Sequence, residues 1–137
     1  MAEKYSNLDA FNRELDEFVR KTVPEELVKL HRRIALEALR RIVLMTPVDT
    51  GRARGNWQTT IDVSPETPLE EFDPSGEATI LEGMSRLEAL GFGSIVFLTN
   101  NLPYILRLEH GHSRQAPQGM VEVTFAELRE MFAQPVE

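Results

Sequence analysis

Apolar residues recur at Leu8, Phe11, Leu15 and Phe18, at spacings of three and four that place them on one helical face. Thr22-Val23-Pro24-Glu25 then has the form of a capping box, with Pro24 in the tolerated first turn. The pattern predicts either a new helix there or one long helix kinked near Pro24. Leu27, Leu30, Ile34, Ala38, Ile42 and Met45 form a second apolar stripe, while Arg33, Glu37, Arg40 and Arg41 occupy a different face. Thr46-Pro47 closes this helix, because proline disfavours helical dihedrals in the residue before it.

The stretch Thr46 to Gln58 links that helix to the first strand. Asp49 and Thr50 are suited to bonding nearby backbone amides, and Gly51 and Gly55 tolerate positive φ, so a tight reversal is predicted. Arg52, Arg54 and Trp57 project from it as side chains typical of protein contacts. Trp57, Thr59, Ile61 and Val63 alternate with polar residues, as a strand with one covered face requires. Ser64 to Gly76 holds Pro65, Pro68, Pro74 and several acids, too many breakers for regular structure, and reads as an exposed acidic excursion.

Thr79-Ile80-Leu81-Glu82 offers another capping box, and Ile80, Met84 and Leu87 share a helical face before Gly91. Ser94 to Thr99 is β-rich and apolar within, which predicts a strand buried on both faces in the middle of a sheet. After Asn100-Asn101 one or two helical turns fit Leu102 to Glu109, with Asn101 as cap, Tyr104 and Leu108 on one face and Gly111 as terminator. Val121, Phe125, Leu128 and Phe132 predict a C-terminal helix, although residues 121–125 also alternate like a strand.

Together these elements predict an α+β fold: a long N-terminal helix packed on a small, mainly antiparallel sheet, with short helices and a C-terminal helix. Residues 1–137 form a single domain, with 64–76 as an excursion within it. Two strands do not make a stable sheet in water without cover. The sheet therefore looks unfinished, to be completed by an undetected strand or by a neighbouring copy.

Composition narrows the function. With no cysteine among 137 residues, disulfides, thiol catalysis and cysteine-ligated metals are excluded. No start resembles a signal peptide and no run is apolar enough to cross a membrane. The net charge of −7 is concentrated, since residues 59–90 hold one basic and eight acidic groups. Such a block repels nucleic acid and faces water or a basic partner. Arg32, Arg33, Arg40 and Arg41 can in principle bind phosphates, but Glu37 interrupts them and no aromatics accompany them, which favours a solvated or subunit-contacting face.

Candidate chemistry is sparse. Glu109, His110 and His112 resemble part of a metal or acid–base site, the basis of an alternative reading as a metal-dependent hydrolase. A hydrolytic zinc site takes three protein ligands, however, and the one further histidine, His31, lies on a separate helix. Glu109 then reads as a cap or salt-bridge partner, with Arg52 or Arg54 the first candidates. Asp49-Thr50-Gly51 matches an aspartic-protease triplet, but that chemistry needs a second carboxylate. No nucleophile elbow or phosphate loop occurs. The reading is of a non-enzyme without cofactor or metal.

Two stretches carry a resemblance together. Pro47, Asp49, Thr50, Gly51 and Arg52 follow the long helix; Asn100, Asn101, Pro103 and Tyr104 lead into Glu109, Gly111, Ser113, Gln115, Ala116, Pro117 and Gly119. In this order, over roughly residues 25 to 132, the chain resembles the tail-completion or neck proteins of tailed bacteriophages. The resemblance implies a structural virion protein, made in the host bacterial cytoplasm, that forms a ring, commonly of six copies, at the head–tail junction. It implies contacts with tail-tube and head-connector proteins and passage of DNA without specific binding; a stopper or adaptor role is the nearest alternative. The expected interface residues are Asp49, Arg52, Arg54, Trp57, Asn100, Asn101, Tyr104, Glu109, His110, His112 and Gln115. Glu66, Glu70, Glu71 and Asp73 are candidates to line a channel and discourage DNA from sticking.

Overall fold

The structure, a computed structural model, describes residues 2–133, with side chains described from residue 7 onward. Its first element is one uninterrupted helix made of α1 (Ala2–Glu17), a π-helical turn (Phe18–Thr22) and α2 (Val23–Met45). The capping box expected at Thr22 does not form: Thr22 is itself helical, with φ −67° and ψ −46°, and its side chain caps nothing. Pro24 explains the local geometry, because it lacks an N–H and its ring crowds the carbonyl four residues back. Widening the turn so that Val23 N–H donates to the Phe18 carbonyl accommodates the ring without ending the helix.

The buried face of α2 is Ala35, Ala38, Leu39, Ile42 and Val43. The expected second stripe is therefore divided. Its C-terminal part contributes to the core, whereas Leu27 and Leu30 face outward. No side chain from Asn7 to Thr22 is buried, so this half of the helix stands away from the body of its own chain.

After the turn, α3 (Arg52–Gly55) is a single helical turn leading into β1 (Trp57–Ile61). β1 pairs antiparallel with β2 (Val96–Asn100), in a register running from Trp57 opposite Asn100 to Ile61 opposite Val96. The first strand is shorter than the alternation predicts. Asp62 takes a left-handed φ of 67° and turns the chain, leaving Val63 73% exposed. The second strand is not central either: every residue of β2 is half-buried, and the described sheet has two strands. Each strand keeps one edge without a backbone partner among the described residues.

Residues 62–76 lack regular structure, as expected from residue 64 on, but they are held to the body. Leu69 N–H donates to Asn56 Oδ1 at 2.7 Å, Gln58 Nε2 to the Thr67 carbonyl at 2.8 Å, and Asp73 N–H to the Gly51 carbonyl at 2.9 Å. The segment ends at Gly76, whose φ of 80° lets the chain enter α4 (Glu77–Leu87). The box expected at Thr79–Glu82 is replaced by a longer-range one: Asp73 Oδ2 accepts from both the amide and the hydroxyl of Thr79, at 2.8 and 2.7 Å. Gly83 lets α4 approach α2, since a Cβ there would collide with Leu39 and with Thr59 Oγ1.

Beyond β2, α5 (Ile105–Glu109) ends at left-handed Gly111, φ 83°, as the sequence predicts. Asn101 does not cap it. The ambiguous stretch after Met120 is helical, α6 (Val121–Phe132), and lies against α2. The core cluster comprises Leu39, Ile42, Val43, Trp57, Ala116 and Met120. No described helix is long and apolar enough to cross a membrane.

Candidate functional site

Thr46 to Gln58 and Asn100 to Met120 come together as one braced unit. Thr46 leaves the helical region with ψ 128°, in keeping with Pro47 behind it. The last carbonyls of α2 then lack intrahelical donors. Arg54 supplies them: Nε donates to the Thr46 carbonyl at 2.9 Å and one terminal nitrogen to Leu44 at 2.9 Å. The other reaches Pro74 at 2.8 Å and so attaches the acidic excursion to the end of the helix. The planar, multi-donor guanidinium suits this three-way role, and the positive charge suits a helix C-terminus.

Trp57 sits beneath the second motif, against Ala116 and Met120. Its indole N–H donates to Thr46 Oγ1 at 2.8 Å, and that hydroxyl donates in turn to the Ile42 carbonyl at 2.6 Å. Every polar atom in this buried chain therefore has a partner. Asn100 bridges the motifs, its Nδ2 donating to the Ala53 carbonyl at 2.9 Å while Oδ1 accepts from Leu102 N–H at 3.2 Å. Asn101 Nδ2 reaches the carbonyls of Pro65 and Thr67 at 3.0 and 3.2 Å. Gln115 pairs in both directions with the backbone of Val48.

Glu109 does not meet Arg52 or Arg54, and the expected ion pair is absent. Its carboxylate instead caps α6. Oε1 accepts from the amides of Met120 and Val121, each at 2.8 Å, and Oε2 from Glu122 at 3.1 Å. Burial acts to raise this carboxyl, but the three amides, aided by His110, outweigh it and hold it below its usual range. Asp73 behaves alike: burial is overcome by hydrogen bonds from Thr79, Gly76 and Ser75, and its carboxyl also lies low. Asp73 thus caps α4 and is not a free channel acid, whereas Glu66, Glu70 and Glu71 are exposed.

The positive-φ role expected of Gly55 is not observed. Gly51 alone in this turn is left-handed, at φ 88°, while Gly55 permits close passage of the Glu71 backbone. Asp49 and Thr50 are exposed, and Thr50 Oγ1 accepts from Arg52 N–H at 3.3 Å. Asp49, Arg52, Tyr104 and Leu108 line an open groove with Phe72, between the two motifs. His110 and His112 are exposed. Among the described residues no set of three His, Asp or Glu is placed to share a metal ion.

Nor are the helix arginines a free basic face. Arg32 Nε donates to the Leu87 carbonyl at 3.0 Å, Arg40 and Arg41 flank Glu37 at 3.7 Å, and Arg41 also pairs with Glu127. Arg33 lies 5.6 Å from the Phe132 ring centroid.

Sequence reasoning missed Asn56, which is fully buried and joins the Arg52 carbonyl at 2.7 Å to the excursion through Leu69. An asparagine between a glycine and a strand was its only signal. No family model, curated protein or solved structure matches this chain.

Proposed function

We propose that the protein is a structural component of a phage virion that completes or terminates the tail at the head–tail junction. The observation that supports this reading best is how the motif side chains are used. Arg54, Asn100, Glu109 and Gln115 hold backbone groups of their own chain, and Trp57 lies in the core. A rigid block with two strand edges unpaired among the described residues and an apolar helical arm is suited to assembly rather than turnover. The oligomer is a ring, of six copies by the resemblance, contacting tail-tube and head-connector proteins. Asp49, Arg52, Tyr104, His110 and His112, which stay at the surface, are its contact candidates, with Glu66, Glu70 and Glu71 facing the DNA path.

Deleting the coding sequence from the phage tests this reading. The expected product is DNA-filled heads and separate tails, with joining restored by adding purified protein to the lysate. Intact, infectious particles from the deletion overturn it. Electron microscopy of the joined particles then distinguishes a ring on the tail end from one on the head, which separates tail completion from a stopper role.

A further inference from the structure

Between Leu8 and Leu30 the long helix carries an apolar stripe that the described residues of its own chain leave exposed. Leu8, Phe11, Leu15, Val19, Leu27 and Leu30 are 44–58% exposed. An α-helix turns by about 100° per residue, so in an unbroken helix Leu27 would sit about 100° around from Leu8. The π turn at Phe18–Thr22 takes up roughly one extra residue and cancels that offset, leaving the stripe on one side. Further along, the helix is covered by α6, where Arg33 lies over the Phe132 ring and Glu127 pairs with Arg41. Among the described residues the arm has no helical partner.

We infer that the missing partner is the same arm of a second copy, packed antiparallel about a two-fold axis at Val19. Two features of the sequence select this occupant. Phe18, 53% exposed, lies beside Val19 at the edge of the stripe. Along its centre line, with half-buried Val23 included, the apolar positions 8, 11, 15, 19, 23, 27 and 30 are spaced 3, 4, 4, 4, 4 and 3, a palindrome. Antiparallel alignment on Val19 sets Leu8 against the second copy's Leu30, Phe11 against its Leu27 and Leu15 against its Val23. The charges are arranged the same way. Residues 7–18 carry four acidic groups and one basic, and residues 19–33 two acidic and five basic. Antiparallel packing therefore places an acidic half beside a basic half twice over, whereas a parallel pair would set like beside like.

The size of the stripe agrees. It exposes on the order of 600 Å² of apolar surface per chain, close to the ~800 Å² that a standard interface takes from each partner. A self-complementary patch of this kind closes as a two-fold dimer. This contact is that of the free protein in solution, distinct from the head-to-tail contacts of a ring; it does not rest on the virion reading and would stand if that reading failed.

The natural chain contains no cysteine, which makes crosslinking of the full-length protein a direct test. Val19→Cys alone is expected to give a disulfide-linked dimer on mild oxidation. Leu8→Cys and Leu30→Cys should crosslink when combined in one chain and not singly. A Phe11→Glu/Leu27→Glu variant is expected to raise the self-dissociation constant in sedimentation equilibrium at least about tenfold, without altering unfolding of the body followed by Trp57 fluorescence. A natural chain that sediments as a monomer throughout overturns the inference. So does efficient crosslinking by Leu8→Cys alone, which reports a parallel pair, or any assembly in which Val19→Cys does not crosslink.

Discussion

Gln115 treats Val48 as a neighbouring strand would: Val48 N–H donates to Gln115 Oε1 at 2.8 Å, and Gln115 Nε2 donates back to the Val48 carbonyl at 3.0 Å. One side-chain amide thus satisfies both backbone groups of a residue that no sheet reaches, and ties the two motif loops across a gap of 67 positions. Replacing Gln115 with alanine is expected to lower stability by about 1 kcal/mol in urea unfolding, because the site is exposed and water can replace both bonds. Gln115→Glu should cost at least as much, since it keeps the acceptor but faces the Val48 carbonyl with an anion.

Thr46→Val leaves the buried Trp57 indole N–H without an acceptor, at an expected cost of about 1–3 kcal/mol. Trp57→Phe removes the donor as well as some packing. The double variant Thr46→Val/Trp57→Phe should therefore be more stable than the sum of the single losses implies, a coupling that a double-mutant cycle by denaturant unfolding reads directly.

Arg54→Lys keeps the charge at the end of α2 but cannot reach three carbonyls at once. A loss of about 1–2 kcal/mol is expected. Hydrogen exchange should show its structural consequence: the amides of residues 69–76 lose protection together with those of the last turn of α2, while α6 is unchanged. Uniform loss across all three would argue against the link between excursion and helix end.

Glu109 and Asp73 make stability depend on pH with a defined sign. Their folded carboxyls titrate below their usual range, so near pH 4 the unfolded chain binds more protons and stability rises with pH. Their contribution is complete above about pH 5 and is lost as pH falls through about 4 and below. Glu109→Gln and Asp73→Asn should each be less stable than the natural chain at neutral pH, by about 1 kcal/mol as for a lost helix cap. That difference should shrink toward zero in acid; one that persists undiminished would assign the loss to packing.

Gly83→Ala is expected to destabilise by about 1–3 kcal/mol, because the new methyl meets Leu39 and Thr59 in a filled core. Gly93→Ala offers the contrast. Its Cβ would meet nothing within 4 Å, so only the strain of a φ near 83° remains, worth about 1 kcal/mol. Thermal unfolding of the two variants separates crowding from backbone strain.

Local chemistry was legible along the chain. Pro47 stopping a helix, Gly51 and Gly111 turning with positive φ, and Val121 to Phe132 forming a helix all follow from constraints spanning a few residues. Two capping boxes were misread for the same reason. Thr22 and Thr79 have suitable neighbours, but a continuing helix took the first and Asp73, six residues away, took the second. The apolar run from Ser94 to Thr99 marks a strand, found at Val96 to Asn100, but it also points to the middle of a sheet, whereas every residue of β2 is half-buried and no described strand pairs with its other edge.

The opening turn shows most plainly where sequence ends and tertiary structure begins. Sequence by itself determined that the chain must reverse after Thr46, that Arg52, Arg54 and Trp57 follow the reversal, and that an apolar stripe precedes it. Only the fold decided that Arg54 would serve carbonyls rather than Glu109, that Glu109 would cap α6, and that the helix would stay whole through Pro24. Backbone dihedrals are limited by immediate neighbours and can be read locally. A long polar side chain bonds whichever unsatisfied backbone group is within reach, and that group is brought there by packing between segments far apart in the chain.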